Sequence, residues 1–231
     1  MNGAVSAIVP AAGHGRRFGS KTSKIFFRVE GRPLLFYTLK NISNAYSFKE
    51  IIVAAHPADF EVIEKMARSL NLRSFRVLRG GATRAESVWR ALLEVSGSSE
   101  WVLVHDAARP LVDRGVVLRT LETAKKFGGA VAALPATATV KRVDARGVIT
   151  GTEDRKGLYL AQTPQVFKRK KLLERYKKLG KKAFALTDEA SFFDKTGAKV
   201  GVALGSVSNF KVTTPEDREL FRFYLKHGKR G

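Results

Sequence analysis

The chain has 231 residues, 44% of them hydrophobic, enough for one compact domain with a sizeable core. It has no cysteine, which excludes disulfides and thiolate metal sites and makes a reducing compartment the expectation. Lysine and arginine number 42 against 21 acidic residues, a formal charge of +21, so the partner should be polyanionic: nucleic acid or a phosphorylated small molecule.

The first segment, MNGAVSAIVPAAG, has no basic stretch ahead of its apolar run, and Pro10 interrupts that run, so it does not read as a secretory leader. No other segment is long and apolar enough to span a bilayer, and a soluble cytoplasmic protein is expected. Short β-rich runs at 4–10, 50–56, 74–80, 100–106 and 129–135 alternate with amphipathic helical patterns near 33–45, 58–70, 83–95 and 113–126. That alternation predicts an α/β fold, a single doubly wound, mostly parallel, Rossmann-like sheet. Residues 137–163 break the rhythm: they are rich in β-branched side chains, have turn candidates at DARG and DRKG, and predict a protruding β-hairpin arm.

The stretch KRKKLLERYKKLGKK, 168–182, places Leu172, Leu173, Tyr176 and Leu179 at helical spacing with basic residues between them, the pattern of a solvated helix packed through its leucines. No zinc-finger spacing, aromatic RNA-binding consensus or basic zipper accompanies the charge, so no specific nucleic-acid partner is expected. The remaining pattern predicts a helix over 187–197, strands near 199–203 and 209–213, and a final helix announced by TTPED. In that last signal Thr214 can cap, Pro215 suits the first turn, and Glu216 and Asp217 suit the positive end of the dipole. No repeat or linker divides the chain, and 1–231 reads as one domain.

The stretch PAAGHGRRFGSKTSK, 10–24, follows the first strand directly. Glycines there let the backbone approach phosphate oxygens and point N–H groups at them. The spacing of Gly13, Gly15 and Gly19 does not fit the dinucleotide fingerprint G-x-G-x-x-G, and GSKT separates Lys21 from Gly19, which fails the P-loop pattern. What remains is a loop carrying Arg16, Arg17, Lys21 and Lys24 at the carboxyl edge of a strand, where open α/β sheets bind ligands. A nucleoside triphosphate tail suits that charge. Asp106 ends the apolar strand in WVLVHDAARP and reads either as a ligand of a hard cation such as Mg2+ or as a helix cap. His105 beside it has no partner histidine in sequence and reads as structural.

Six motifs in order, PAAGHGRRFG, GGATRAESV (80–88), VHDAARP (104–110), QTPQVF (162–167), TDEAS (187–191) and NFKVTTPED (209–217), resemble the 2-C-methyl-D-erythritol 4-phosphate cytidylyltransferases across nearly the whole chain. The resemblance implies cytidylyl transfer from CTP to a polyol phosphate with release of pyrophosphate, in isoprenoid precursor synthesis. It assigns Arg17, Lys24 and Lys211 to the triphosphate and Asp106 to Mg2+ or another divalent cation. Backbone at Ala11, Ala12 and Gly81, with Ser87, is implied to read cytosine, and the loop glycines Gly13 and Gly15 to line the nucleotide site. Arg109, Thr139, Arg155, Thr187 and Thr163 are implied to form the polyol-phosphate site, with Arg155 acting in catalysis; Thr187 also reads as a helix N-cap and Thr163 as part of a turn at Pro164. The family precedent further implies a homodimer whose arms carry Thr139 and Arg155 into the neighbouring site. Ser23 replaces the family's usual proline, and Ala82 and Ala138 stand where acids are common. Alternatives are a sister enzyme acting on ribitol 5-phosphate, and a basic nucleic-acid-binding protein without activity.

Overall fold

The computed structural model describes residues 3–13, 24–194 and 196–228. In chain order the elements are β1 (Ala4–Pro10), a small hairpin of β2 (Arg28–Val29) and β3 (Arg32–Pro33), α1 (Leu34–Ala45), β4 (Glu50–Ala55), α2 (Phe60–Ser69) and β5 (Phe75–Arg79). There follow α3 (Arg84–Glu94), β6 (Ser99–Val104), α4 (Arg114–Phe127), β7 (Gly129–Pro135), β8 (Val140–Val143), β9 (Ile149–Glu153), β10 (Tyr159–Lys168), α5 (Arg169–Leu179), β11 (Gly201–Leu204) and α6 (Pro215–His227).

Seven strands form the main sheet in the order β11-β7-β10-β6-β1-β4-β5. The pairs β1 with β4 and β6, β4 with β5, and β7 with β11 are parallel, while β10 runs antiparallel to both its neighbours. The sheet is therefore mostly parallel, as expected. Its central strands are apolar on both faces because both are covered. Val5, Ala7 and Val9 of β1 pack with Leu39 of α1, Ile63 of α2 and Leu121 of α4, whereas Ile8 packs with Val88 of α3 and Leu172 of α5.

Helix starts follow their capping chemistry. Thr83 Oγ1 accepts the Glu86 N–H to open α3, Asp113 accepts the Val116 N–H to open α4, and Thr214 with Asp217 forms a reciprocal capping box on α6. The basic segment forms α5 with Leu172 and Tyr176 buried, as its spacing predicts.

Three expectations are corrected. The arm is shorter than 137–163: β8 and β9 form the projecting hairpin, but Tyr159 to Thr163 belong to β10, paired with β7 and filling the sheet between β6 and β7. The helix expected over 187–197 is only a 3-10 turn, Ala190–Phe193, because Asp188 ties both the N–H and the hydroxyl of Ser191 into a tight local turn. Residues 209–213 form no strand: the Val212 N–H donates to the Ala108 carbonyl, which lies in a turn and offers no ladder to extend.

Candidate active site

The chain moves outward from β1 to β4 and β5, then returns through α3 to β6 on the other side of β1. That reversal opens a crevice at the carboxyl ends of β1 and β6, the place where such sheets take ligands. The cleft there is lined by Pro10 to Gly13, Lys24, Ile25, Arg84, Ser87, Asp106 to Ala108, and Lys211.

Backbone bonds set its walls. The Ala11 N–H donates to Ala54 O at 2.7 Å, and the Gly80 N–H to Ala55 O at 2.8 Å, carrying both loops off the strand ends in register. A side chain at Gly80 would collide with the Ala12 methyl, so only glycine lets these loops abut. The Gly81 N–H donates to Ser87 Oγ at 3.0 Å while the Ser87 hydroxyl donates to Thr83 O at 2.9 Å. Ser87, 1% exposed, thus holds the shape of the Gly80–Gly81 turn. The Ala82 N–H donates to Glu86 Oε2 at 2.8 Å, so a carboxylate stands beside position 82 although that residue is alanine.

Asp106 is the electrostatic centre. Arg84 Nε donates to its Oδ1 at 2.8 Å, Lys211 Nζ lies 2.8 Å from Oδ2, and Arg109 Nε is 3.8 Å from Oδ2. Burial pushes the carboxyl up, but Arg84 and Lys211 outweigh it and hold it well below the usual carboxylate range. Its own N–H donates to Thr163 Oγ1 at 2.9 Å. Arg84 is held from behind: its Nη1 contacts both oxygens of Glu189, at 2.8 and 2.9 Å, and Glu189 is fully buried. Burial would lower the Arg84 guanidinium, yet Glu189 and Asp106 prevail and raise it, so it stays charged. His105 is also fully buried, its Nε2 facing Arg109 O at 3.0 Å and its Nδ1 facing Thr163 Oγ1 at 3.1 Å; burial lowers its pKa to about 4. It is neutral and sealed off, a structural histidine as its isolation in the sequence suggested.

The profile of 2-C-methyl-D-erythritol 4-phosphate cytidylyltransferase matches residues 5–227. The enzyme of that name from Acidobacterium capsulatum is 40% identical over 232 residues, covering 96% of this chain and 97% of the relative. That of Bacillus mycoides is 38% identical over 219 residues, covering 94% and 96%. The crystal structure of 4-diphosphocytidyl-2C-methyl-D-erythritol synthase from Anaerococcus prevotii aligns with a TM-score of 0.85 at 31% identity, over 97% of this chain and 99% of that one.

The chain belongs to the 2-C-methyl-D-erythritol 4-phosphate cytidylyltransferase family. It is therefore an enzyme of the nucleotidyltransferase class, and the resemblance drawn from six ordered motifs holds along almost its full length.

Of the cytidylyltransferase site residues expected from sequence, Ala11, Ala12, Gly13, Lys24, Ser87, Asp106 and Lys211 meet at one cleft. Gly81 turns beside it through its bond to Ser87. Arg17 and Gly15 lie outside the described residues. Lys211 arrives on an irregular connection, not on the expected strand.

The second group behaves differently. Thr139, Arg155 and Thr187 are exposed, and within one chain none lines the cleft. Arg155 Nη1 donates to the Thr137 carbonyl at the base of the arm. Thr187 is not the cap of the 3-10 turn that follows, whose N-cap position is Glu189; Asp188 accepts the Ser191 N–H at 3.1 Å within that turn. Arg109 is buried beside the cleft, donating through Nη1 to Asn209 O at 2.8 Å and Nη2 to Ala161 O at 3.4 Å, with Nε left without a hydrogen-bond partner. Thr163, 3% exposed, lies within β10 and not in the expected turn; its Oγ1 accepts the Asp106 N–H and faces His105 Nδ1.

Sequence reasoning missed Arg84 and Glu189. Both lie inside motifs quoted for the resemblance, GGATRAESV and TDEAS, but nothing in their spacing shows that residues 105 positions apart pair.

Proposed function

We propose that the chain transfers the cytidylyl group of CTP to 2-C-methyl-D-erythritol 4-phosphate and releases pyrophosphate. Family membership over residues 5–227 carries this reading, and the cleft's chemistry agrees with it. The acceptor is a phosphate monoester with a second pKa of about 6, so near neutral pH it is already a dianion and needs no general base. The sealed His105 offers none. The barrier is the repulsion between that dianion and the triphosphate, so positioning and charge neutralisation must do the catalysis. Among the described residues, Lys24, Lys211 and Arg84 supply cations along the cleft, against Asp106.

The donor set fits a divalent cation that takes most of its ligands from the substrate. Among the described residues Asp106 is the single carboxylate in the lining, and no cluster of three His, Asp or Glu side chains could hold an ion by itself. The ion pair of Lys211 Nζ with Oδ2 at 2.8 Å supports this reading, since that oxygen faces a positive group at the cleft. Asp106 would hold Mg2+, with phosphate oxygens and water completing the shell. The ion would neutralise and orient the triphosphate.

The active form in this reading is a homodimer. Thr139 and Arg155 sit on or beside an arm that exposes Val143, Val148 and Ile149, and the edge strand β11 exposes Val202 and Leu204. A lone two-stranded hairpin is marginal in water, so a second copy covering the arm would stabilise it and bring Arg155 to a neighbouring cleft. A cytoplasmic setting suits the cysteine-free composition, and among the described residues no helix is long and apolar enough to cross a membrane.

The test is pyrophosphate release across a matrix of nucleoside triphosphates and polyol phosphates. Turnover should require CTP, 2-C-methyl-D-erythritol 4-phosphate and a divalent cation. Turnover with ribitol 5-phosphate in place of the methylerythritol acceptor would assign the chain to the sister reaction.

A further inference from the structure

Glu189 carries a carboxylate at a fully buried position and does not line the cleft. A buried ion pair gives little stability over apolar packing of the same shape, so stability alone is a poor reason to keep one. Its contacts are specific. Both Glu189 oxygens accept from a single Arg84 nitrogen, Nη1, and Oε1 also accepts the Tyr176 hydroxyl at 3.3 Å, so that with Nε on Asp106 the guanidinium is held at two of its nitrogens. Nε is then the nitrogen that meets Asp106 Oδ1, and Nη2 is left buried without a hydrogen-bond partner. An arginine beside a carboxylate commonly closes a two-nitrogen fork on both oxygens. Here it reaches only one, and the other stays with Lys211.

We infer that Glu189 is a positioning residue for cytidylyl transfer: by holding Arg84 Nη1, it keeps the guanidinium from closing on both oxygens of Asp106 and so reserves Oδ2 for the cation side of the cleft. The inference rests on the reaction proposed above. The segment carrying Glu189 is itself pinned to β10, since Gln165 Nε2 donates to Asp188 Oδ2 at 2.8 Å and Gln165 Oε1 accepts the Ala190 N–H at 3.3 Å. Arg84 sits at the first turn of α3, directly after the Gly80–Gly81 turn. The pair thus ties the Thr187–Ala190 segment to the nucleotide side of the site.

Glu189→Gln and Glu189→Asp test this, each measured for kcat and KM by pyrophosphate release beside a thermal melt, with Arg84→Lys alone and combined with Glu189→Gln. Gln keeps the shape without the charge; Asp keeps the charge but is one methylene too short to hold Nη1. The expected result is a kcat about 10- to 100-fold lower in both Glu189 variants, with KM for CTP changed less than about threefold. The double variant should be no slower than the slower single one, because both changes break one contact. A folded Glu189 variant that melts lower but keeps its kcat would make the residue merely structural and overturn the inference, as would losses that multiply in the double variant. If Glu189→Gln does not fold, Glu189→Asp decides by the same criteria, and if neither folds the residue's role is structural and the inference fails. Absence of wild-type turnover would overturn the proposed reaction itself, a result distinct from active wild type with indifferent variants.

Discussion

Lys211 Nζ and Asp106 Oδ2 form an ion pair at 2.8 Å whose two ends differ in freedom: the lysine side chain is 37% exposed and the aspartate side chain 8%. The ammonium has room to turn toward an incoming phosphate, whereas Asp106 is fixed by Arg84 and by the bond from its own N–H to Thr163. Lys211→Ala should therefore lower kcat by about 100-fold, as deletion of a preorganised charge donor does elsewhere. Asp106→Asn should also lower thermodynamic stability, by about 1–3 kcal/mol, since it takes one of the two carboxylate partners from the buried Arg84 and leaves it Glu189, while the Lys211 end remains open to water. Steady-state kinetics and urea unfolding check the two arms.

Lys24 lines the same cleft, with Gly13 and Ile25. Lys24→Ala should cost about 100-fold or more in kcat, because it removes a cation where phosphate charge is densest. A rate unchanged in a pyrophosphate-release assay would remove Lys24 from the catalytic set.

His105 makes stability depend on pH. It is neutral in the fold with a pKa lowered to about 4, whereas the unfolded chain protonates near the ordinary value of about 6.5. Between those values the unfolded state binds the extra proton, so the stabilisation is present above about 6.5 and is lost as pH falls toward about 4. The unfolding free energy should drop by about 2 kcal/mol between pH 7 and pH 5 from this group. Urea titrations at the two pH values measure it, and a folded His105→Asn variant should lack that increment.

The shared-site reading makes a complementation prediction. Lys24→Ala and Arg155→Ala should each be inactive as homodimers. In a mixed dimer with an exchanged Arg155, one pocket carries both lesions and the other neither, so co-refolded subunits should regain part of the wild-type rate. A monomer by light scattering, or verified mixed dimers that stay inactive, would refute composite sites.

The sequence by itself determined the parallel strands of the sheet and most of the nucleotide wall, because the signals there are local. Alternating apolar runs and capping residues place β1, β4, β6 and the helices around them, and a glycine loop at a strand's carboxyl end needs no distant partner to be recognised. Family motifs added Lys211 and Asp106, which meet as expected in one cleft. Only the tertiary structure decided what depends on contacts between distant segments. It placed 159–168 as an antiparallel strand within the sheet, since a β-branched run pairs as readily in an arm as in a sheet and the choice lies with its neighbours. It set Arg109 and Thr163 among Asn209, Ala161, His105 and Asp106, contacts that their motifs alone do not show. It also joined Arg84 to Glu189, a pairing that no periodicity encodes, because an ion pair's value comes from the burial around it and burial is a property of the folded chain.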